Sequence, residues 1–209
     1  MKIYVTRHSL TLWNEEKRLQ GWKDSPLTKQ GIKDAQKLGE FIKDYPINQI
    51  YSSPIERAYQ TTVHIFPNRE IIKDERLKEM NFGDYEGQFI SSLRDDIDYH
   101  DLWYHPTPER CLKNGESYQQ VLDRLSEFIL EKYHEDHEQT IFITIHGMLF
   151  TILHGLMLDL PIERFHEVNQ EIVRGCSLSL VEYNGKQFKI HYIGKDDYLT
   201  PMNNKIIYK

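Results

Sequence analysis

The stretch that decides the fold is Ile3-Tyr4-Val5-Thr6-Arg7-His8, near the beginning of the chain. Its first four residues all favour β-structure and predict a short buried strand, and a cation and an imidazole follow it at once. A titratable side chain at the end of a strand is held on a rigid edge, which is the placement that a reactive group requires. We therefore predict that Arg7 and His8 belong to a functional site.

Two later stretches repeat this arrangement. The stretch Ile50-Tyr51-Ser52-Ser53 leads to Arg57, and the apolar run at 141–145 leads directly into His146. In an open α/β sheet, ligands bind in the crevice beyond the carboxyl ends of the strands. The sequence therefore predicts one anion-binding pocket at this edge of the sheet. Its expected members are Arg7, His8, Arg57 and His146.

The composition limits the class of protein. The chain has 209 residues, of which 39% are hydrophobic and 12% aromatic, which is enough for one well-filled core and argues against disorder. No apolar run is long enough to cross a bilayer, and the net charge of -6 argues against a nucleic-acid surface. The early polar residues do not form a secretory signal, and two cysteines do not make a disulfide framework. We expect a single cytoplasmic domain over residues 1–209.

Hydrophobic periodicity and capping residues predict the main elements. Thr28 begins a helix that continues to about residue 43, and Ser117 and Gln120 form a capping box before an amphipathic stripe that reaches Tyr133. The other predicted elements are an apolar helix at 148–158, strands near 48–51, 70–72 and 141–145, and a hairpin of strands at 178–183 and 188–193. Together they fit an open α/β sheet.

Arg57 follows a stretch with two helix-start signals. Ser53-Pro54-Ile55-Glu56 offers both a capping box and a proline at the first helical position. This start places Arg57 in the first helical turn, where a cation opposes the helix dipole, and an anion bound there would reverse that effect. The alternative is a surface arginine paired with Glu56 or another acid.

Two segments rich in turn-forming residues are predicted to be loops. Residues 9–28 contain several Gly, Pro, Asp and Ser residues, and residues 77–87 end in two glycines that bracket a short acidic turn. Within that turn we expect Asp84 and Glu86 to face solvent. Loops that follow strand ends often carry functional residues.

The ordered motifs resemble those of a known family. Thr6-Arg7-His8, followed by Thr11, Trp13 and Asn14, resembles the R-H-G-x-T-x-W-N signature of the histidine phosphatase superfamily, which includes cofactor-dependent phosphoglycerate mutases. The correspondence continues at 21–28, 52–61, 77–87, 115–117 and 146–147. This resemblance implies a phosphoglycerate mutase-like three-layer αβα sandwich with a mostly parallel central sheet, and no metal or organic cofactor.

The resemblance also implies a role for each matching residue. His8 would be the nucleophile that forms a phosphohistidine, and Glu79 would protonate the leaving group and later activate water. Arg7, Arg57 and His146 would hold the phosphoryl oxygens. The further phosphate contacts that it implies are Asn14, Gln20, Gly21 and Gly147.

Two positions depart from the family pattern. Ser9 stands where the family usually has glycine, and Leu10 stands where it commonly has Glu or Gln. We expect a phosphatase acting on a small phosphorylated metabolite, since the Gly83–Gly87 segment looks like the phosphatase branches and the chain is short for mutases with a longer insertion over the site. The alternatives are a mutase-type phosphotransferase and a non-catalytic phospholigand-binding domain in which Ser9 and Leu10 have abolished the chemistry.

The segment at about 88–115 is aperiodic and is predicted to form an irregular or partly helical lid. Within it, Trp103 and Tyr104 could contact a leaving group or pack the lid onto the body of the protein. Packing is the more common role for aromatic side chains, although the sequence does not exclude the other. Nor does it distinguish a monomer from a homodimer.

Overall fold

Six strands form one sheet at the centre of the protein. They are β1 (Lys2–Arg7), β2 (Gln49–Ser52), β3 (Ile72–Lys73), β4 (Thr140–Ile145), β5 (Leu178–Tyr183) and β6 (Phe188–Lys195). The computed structural model describes residues 1–168 and 172–201, and its sheet has the order β3-β2-β4-β1-β5-β6. Neighbouring strands from β3 to β1 are parallel, and β5 runs antiparallel to both β1 and β6. The predicted mostly parallel sheet is confirmed.

Helices cover both faces of this sheet. They are α1 (Leu12–Glu16), α2 (Lys29–Ile42), α3 (Glu56–Ile65), α4 (Ile97–Tyr104), α5 (Tyr118–Glu135) and α6 (Gly147–Met157). Alternate strand residues point to opposite faces, so Tyr4 and Phe142 join a core cluster with α2 and α3, whereas Val5 and Ile143 join one with α5 and α6. The three-layer arrangement follows from these two apolar faces. Every residue of β4 is buried because both of its faces are covered.

The strand register brings the predicted site residues to one edge. Arg7 pairs with Ile145 at the ends of β1 and β4, and the His8 amide donates to the Ile145 carbonyl at 2.8 Å. The Ser53 amide donates to the Thr144 carbonyl at 3.1 Å, which fixes the end of β2 beside them. The three strand ends named by the sequence therefore meet in space.

Two local predictions were wrong. Helix α3 begins at Glu56 after Ile55, and Ser53 is not its N-cap because the Ser53 hydroxyl is engaged with His146 instead. The predicted loop at 9–28 contains the short helix α1, whose capping box pairs Thr11 with an asparagine, Asn14, rather than the Glu or Gln of the usual pattern.

The segment at 88–115 is packed onto the core rather than loosely attached. It contains a 3-10 turn at Ile90–Ser92 and helix α4, whose Tyr99 and Leu102 side chains are buried. The Tyr118 hydroxyl donates to the Leu102 carbonyl at 2.6 Å. In the part of the chain that the structure describes, no helix combines the length and apolarity needed to span a membrane.

Candidate active site

A pocket opens at the strand ends where the predicted residues meet. Eight of the nine predicted site residues line it, namely Arg7, His8, Asn14, Gln20, Gly21, Arg57, Glu79 and Gly147. The ninth, His146, is buried beside His8, with 5.2 Å between the two ring centroids. Residues separated by up to 140 positions in the sequence are thus gathered around one cavity.

The His8 imidazole is held in a single tautomer by the backbone. Its Nδ1 lies 2.8 Å from the carbonyl oxygen of Ser9, and a carbonyl only accepts hydrogen bonds, so Nδ1 carries the proton. Burial lowers the pKa of His8 well below its usual value, and the charges of Arg7 and Arg57 lower it further. The ring is therefore neutral, and Nε2 keeps the unshared electron pair that a nucleophile needs.

Arg57 is fully buried, and its guanidinium is fixed by the loop that follows α1. Its Nη2 donates to the Gly21 carbonyl at 2.6 Å, and Nη1 donates to the Lys23 carbonyl at 2.9 Å and to the Asp24 carboxylate at 3.1 Å. The alternative interpretation of Arg57 as a surface residue is therefore wrong, and its acidic partner is Asp24 rather than Glu56. Sequence reasoning missed Asp24, which is 33 positions away from Arg57 and stands among turn residues.

Glu86 holds the loop that supplies these carbonyls. Its carboxylate is buried and accepts hydrogen bonds from the backbone amides of Trp22 at 2.8 Å, Lys23 at 2.6 Å and Phe82 at 3.0 Å. The expectation that Glu86 faces solvent was wrong, whereas Asp84 is exposed as expected. Gly21 has φ +74, and a Cβ there would lie 2.0 Å from the Glu86 carboxylate, so a larger residue would be strained and would displace that carboxylate.

His146 is positioned by Ser53. Its Nε2 lies 2.7 Å from the Ser53 hydroxyl oxygen, which itself accepts from the Ile55 amide at 3.3 Å. The hydroxyl can donate to Nε2, and in that arrangement the ring proton lies on Nδ1. Burial lowers the pKa of His146 well below its usual value, and Nδ1 is a buried atom with no hydrogen-bond partner among the described residues.

The Glu79 carboxylate lies at the first turn of α6. It accepts hydrogen bonds from the amides of Met148 at 3.1 Å, Leu149 at 2.9 Å and Met80 at 3.0 Å. These donors belong partly to a helix N-terminus, which favours a negative charge. The Arg124 guanidinium holds the Glu79 backbone by donating to its carbonyl at 3.0 Å. Glu79 is thus aimed into the pocket by fixed neighbours.

The departures at Ser9 and Leu10 do not alter the lining of the pocket. The Ser9 hydroxyl donates to the Gly31 carbonyl at 2.8 Å, and its amide donates to the Thr61 hydroxyl at 3.0 Å. Neither Ser9 nor Leu10 is among the residues that line the cavity. The serine side chain is therefore accommodated against α2 instead of in the space expected for a phosphate.

Metal-ligating side chains come together at a different place. In the described ranges, His100, Asp101 and His105 have ligand atoms within 4.8 Å of one another, at the exposed end of α4. None of them lines the pocket, whose described carboxylate is Glu79 and whose described imidazole is His8. The residues of the pocket are thus suited to binding an anion and transferring a proton.

The comparisons with known proteins agree with this geometry. The family model of the histidine phosphatase superfamily (branch 1) matches residues 3–196. The chain belongs to the histidine phosphatase superfamily. The resemblance read from its motifs is confirmed, and members of this superfamily act on small phosphorylated substrates.

Relatives within the superfamily have both phosphatase and mutase names. "Putative phosphoserine phosphatase 2" of Hydrogenobacter thermophilus is 30% identical over 93% of this chain and 95% of that protein. "Probable phosphoglycerate mutase GpmB" of Klebsiella pneumoniae is 30% identical over 88% of this chain and 85% of its own length. The solved structure of Bacillus stearothermophilus YhfR is 31% identical, covers 94% of this chain and 98% of its own, and superimposes with a TM-score of 0.86.

The two neutral histidines of this superfamily member predict a loss of stability in acid. In the unfolded chain both rings titrate near 6.5, whereas burial keeps them unprotonated in the folded protein. Below that pH the unfolded state binds more protons, so the free energy of unfolding falls by up to about 1.4 kcal/mol per pH unit for each histidine. Urea unfolding at a series of pH values measures how steeply the free energy of unfolding changes with pH. In His8→Asn this slope is expected to be smaller by the contribution of one histidine, about 1.4 kcal/mol per pH unit. An unchanged slope in that variant would contradict a neutral His8.

Proposed function

We propose that the protein is a metal-independent phosphatase that hydrolyses small phosphomonoesters through a phosphohistidine on His8. The observation that carries this proposal is the His8 ring itself, which is buried, neutral and protonated on Nδ1 at the bottom of a pocket with two arginines. Such a ring presents Nε2 to a phosphorus atom without first losing a proton. The nearby guanidinium groups attract the substrate and neutralise the charge that develops on the transferring group.

The first half-reaction phosphorylates His8. Nε2 attacks phosphorus, a P–N bond forms, and the bond from phosphorus to the alcohol oxygen breaks. Glu79, whose carboxyl group is held at the first turn of α6, gives a proton to the departing oxygen as a general acid. Arg7, Arg57 and the Nδ1 donor of His146 bind the phosphoryl oxygens.

The second half-reaction releases phosphate. The Glu79 carboxylate removes a proton from a water molecule, the water oxygen bonds to phosphorus, and the P–N bond breaks. His8 is then neutral again, and Glu79 again carries the proton that the next turnover uses. Because the displacement is split into two steps, the same residues catalyse both half-reactions. No step in this scheme requires a metal ion.

The principal alternative is a phosphoglycerate mutase-type phosphotransferase, because a relative at 30% identity has a mutase name. A mutase must keep the phosphorylated intermediate and exclude water from the phosphohistidine. Incubation with 3-phosphoglycerate separates the two functions. We expect release of inorganic phosphate that is undiminished by EDTA, and formation of 2-phosphoglycerate without phosphate release would contradict the proposal.

The other alternative is a phospholigand-binding domain without activity. The position of Ser9 argues against it, because its hydroxyl binds the Gly31 carbonyl and leaves the cavity open. A protein that binds phosphate tightly but releases none from p-nitrophenyl phosphate would support this alternative. Turnover of that ester would exclude it.

Replacing Glu79 tests the proton transfer. Glu79→Gln keeps the size of the side chain but removes the proton that the leaving group needs. We expect kcat to fall by about 10² to 10⁴-fold for alkyl phosphates and by much less for p-nitrophenyl phosphate, whose leaving group departs without a proton. Glu75→Gln, at an exposed acid in the preceding 3-10 turn, is the matched control. Equal losses for both classes of ester would rule out Glu79 as the acid.

A further inference from the structure

Three side chains with metal-ligating atoms come together at the C-terminal end of α4. His100, Asp101 and His105 each offer one nitrogen or oxygen atom, and these atoms lie within 4.8 Å of one another. The His100 Nδ1 lies 3.6 Å from the Asp101 Oδ1, and the ring centroids of His100 and His105 lie 5.7 Å apart. Two imidazoles and one carboxylate therefore surround one small volume at the surface of the protein.

The way in which α4 ends brings His105 back towards His100. In an uninterrupted α-helix, a residue five positions further along lies about 140° around the axis, on a different face. Helix α4 ends at Tyr104, and His105 has φ -130 and ψ 56, outside the helical region, while its amide still donates to the Asp101 carbonyl at 2.9 Å. The cluster thus depends on the geometry of the helix end, which the sequence spacing does not indicate.

Neighbouring groups hold two of the three side chains in place. The His100 ring stacks on the Tyr104 ring, with 4.6 Å between the centroids and 29° between the planes. The Arg110 Nη1 lies 3.3 Å from the Asp101 Oδ2, whereas Oδ1 lies on the side of His100. A partner that engages one oxygen of a carboxylate orients the other towards a metal ion, which is a common arrangement around metal ligands.

The donor atoms select the kind of ion. Imidazole nitrogen suits zinc, copper and nickel, whereas Mg²⁺ and Ca²⁺ prefer oxygen ligands alone. Zinc accepts three protein ligands together with a water molecule, and its ligand atoms then lie about 3.3 Å apart. Both histidine side chains of the cluster are exposed, so their rings can rotate to close the remaining distance.

We propose that His100, Asp101 and His105 form a zinc site that clamps the C-terminal turn of α4. The ion would join the last turn of the helix to the residue at which the chain leaves it. None of the three ligands lines the pocket, so the ion takes no part in phosphoryl transfer, and the inference does not depend on the proposed function. Trp103 lies in the clamped turn and does line the pocket, so zinc would also fix this part of the lining.

Titration of the whole protein with zinc tests the site. The protein is treated with a chelator, exchanged into chelator-free buffer and titrated with ZnCl₂ in a calorimeter. We expect one ion per chain and a Kd on the order of micromolar, because the three ligands are already close together but Arg110 places a positive charge near the ion. MgCl₂ is expected to give no binding, because two of the three donors are imidazoles.

Variants and hydrogen exchange locate the bound ion. His100→Ala and His105→Ala should each weaken zinc binding by about tenfold or more, since each removes a ligand. His134→Ala, at an exposed histidine outside the cluster, is the matched control and should leave the affinity within about twofold of the wild type. In the wild type, zinc should slow amide exchange in the peptide that spans 97–105, because the ion stabilises the closed form of this turn.

Several results would overturn the proposal. One is the absence of zinc binding to the wild-type protein, and another is binding that both cluster variants leave unchanged. An equal loss of affinity in His134→Ala would show that zinc binds surface histidines without preference for the cluster. Binding without slower exchange at 97–105 would place the ion elsewhere, and that measurement uses the wild-type protein and does not depend on the folding of a variant.

Discussion

His8→Ala is expected to abolish phosphate release, with a loss in kcat of about 10⁴-fold or more. The substitution removes the atom that we propose attacks phosphorus, and no other described imidazole lines the pocket to replace it. His146 is close, but its Nε2 is hydrogen-bonded to the Ser53 hydroxyl. Steady-state phosphate release from p-nitrophenyl phosphate measures the effect.

The controls for this variant distinguish chemistry from folding. His134→Ala replaces an exposed histidine near the end of α5 and is expected to keep full activity. His8→Ala should still bind inorganic phosphate, because Arg7 and Arg57 remain in place. Loss of binding together with loss of a cooperative unfolding transition would show that the variant is misfolded. Residual turnover within tenfold of the wild type would refute a nucleophilic His8.

Arg57→Ala is expected to lower kcat/KM by about 10³-fold or more, since a guanidinium that neutralises a transferring phosphoryl group contributes on this scale. The variant also removes the side-chain donor from the Asp24 carboxylate and from two carbonyls, and Asp24 keeps only the backbone amide of residue 57 at 3.1 Å. We therefore expect a lower free energy of unfolding, by about 2 to 3 kcal/mol. Kinetics and urea unfolding on the same preparation measure both effects.

The activity of Arg57 variants is expected to depend on the geometry of the side chain at this position as well as on its charge. Arg57→Lys retains the charge, but an ammonium cannot reach the Gly21 and Lys23 carbonyls together with the phosphoryl oxygens, so its activity is expected to lie between the wild type and Arg57→Ala. Arg164→Ala, at an exposed arginine paired with Glu167, is the matched control and should change neither quantity. An Arg57→Ala enzyme within tenfold of the wild type would contradict the assigned role.

Local sequence patterns were sufficient to predict the helices and strands that are set by hydrophobic periodicity and by capping residues. The stripe after Ser117 predicted α5 with its capping box, and the apolar run before His146 predicted the central strand β4. Both signals are local because each is set by the face that an element buries. The gathering of Arg7, His8 and Arg57 also followed, since parallel strands end at one edge of a sheet.

Partners that are distant in sequence were not predictable from local patterns. Glu86 was expected to face solvent, yet it is buried because three amides from separated segments converge on its carboxylate. Ser53 has the pattern of a helix cap, but tertiary contact with His146 competes for its hydroxyl. No sequence pattern around Asp24 indicates its contact with Arg57. In each case a long-range hydrogen bond overrides the local preference.

The position of Trp103 shows the same limit. Composition identified an aromatic residue in an aperiodic segment, and only the packing of α4 places that ring on the wall of the pocket beside Phe82 and Tyr99. The sequence alone therefore predicted the charged residues of the pocket better than its apolar residues. Several of the charged groups stand at strand ends, whereas the apolar residues of the lining come from several unrelated segments.

Trapping the phosphorylated enzyme tests the central claim most directly. Wild-type protein is mixed with a phosphomonoester, quenched in alkali within the first turnover, digested, and mapped by mass spectrometry. We predict a phosphoryl group on the peptide that contains His8, attached at Nε2, and none in His8→Ala. Phosphate release at the normal rate with no phosphorylated His8, or with the phosphoryl group on another residue, would contradict the account.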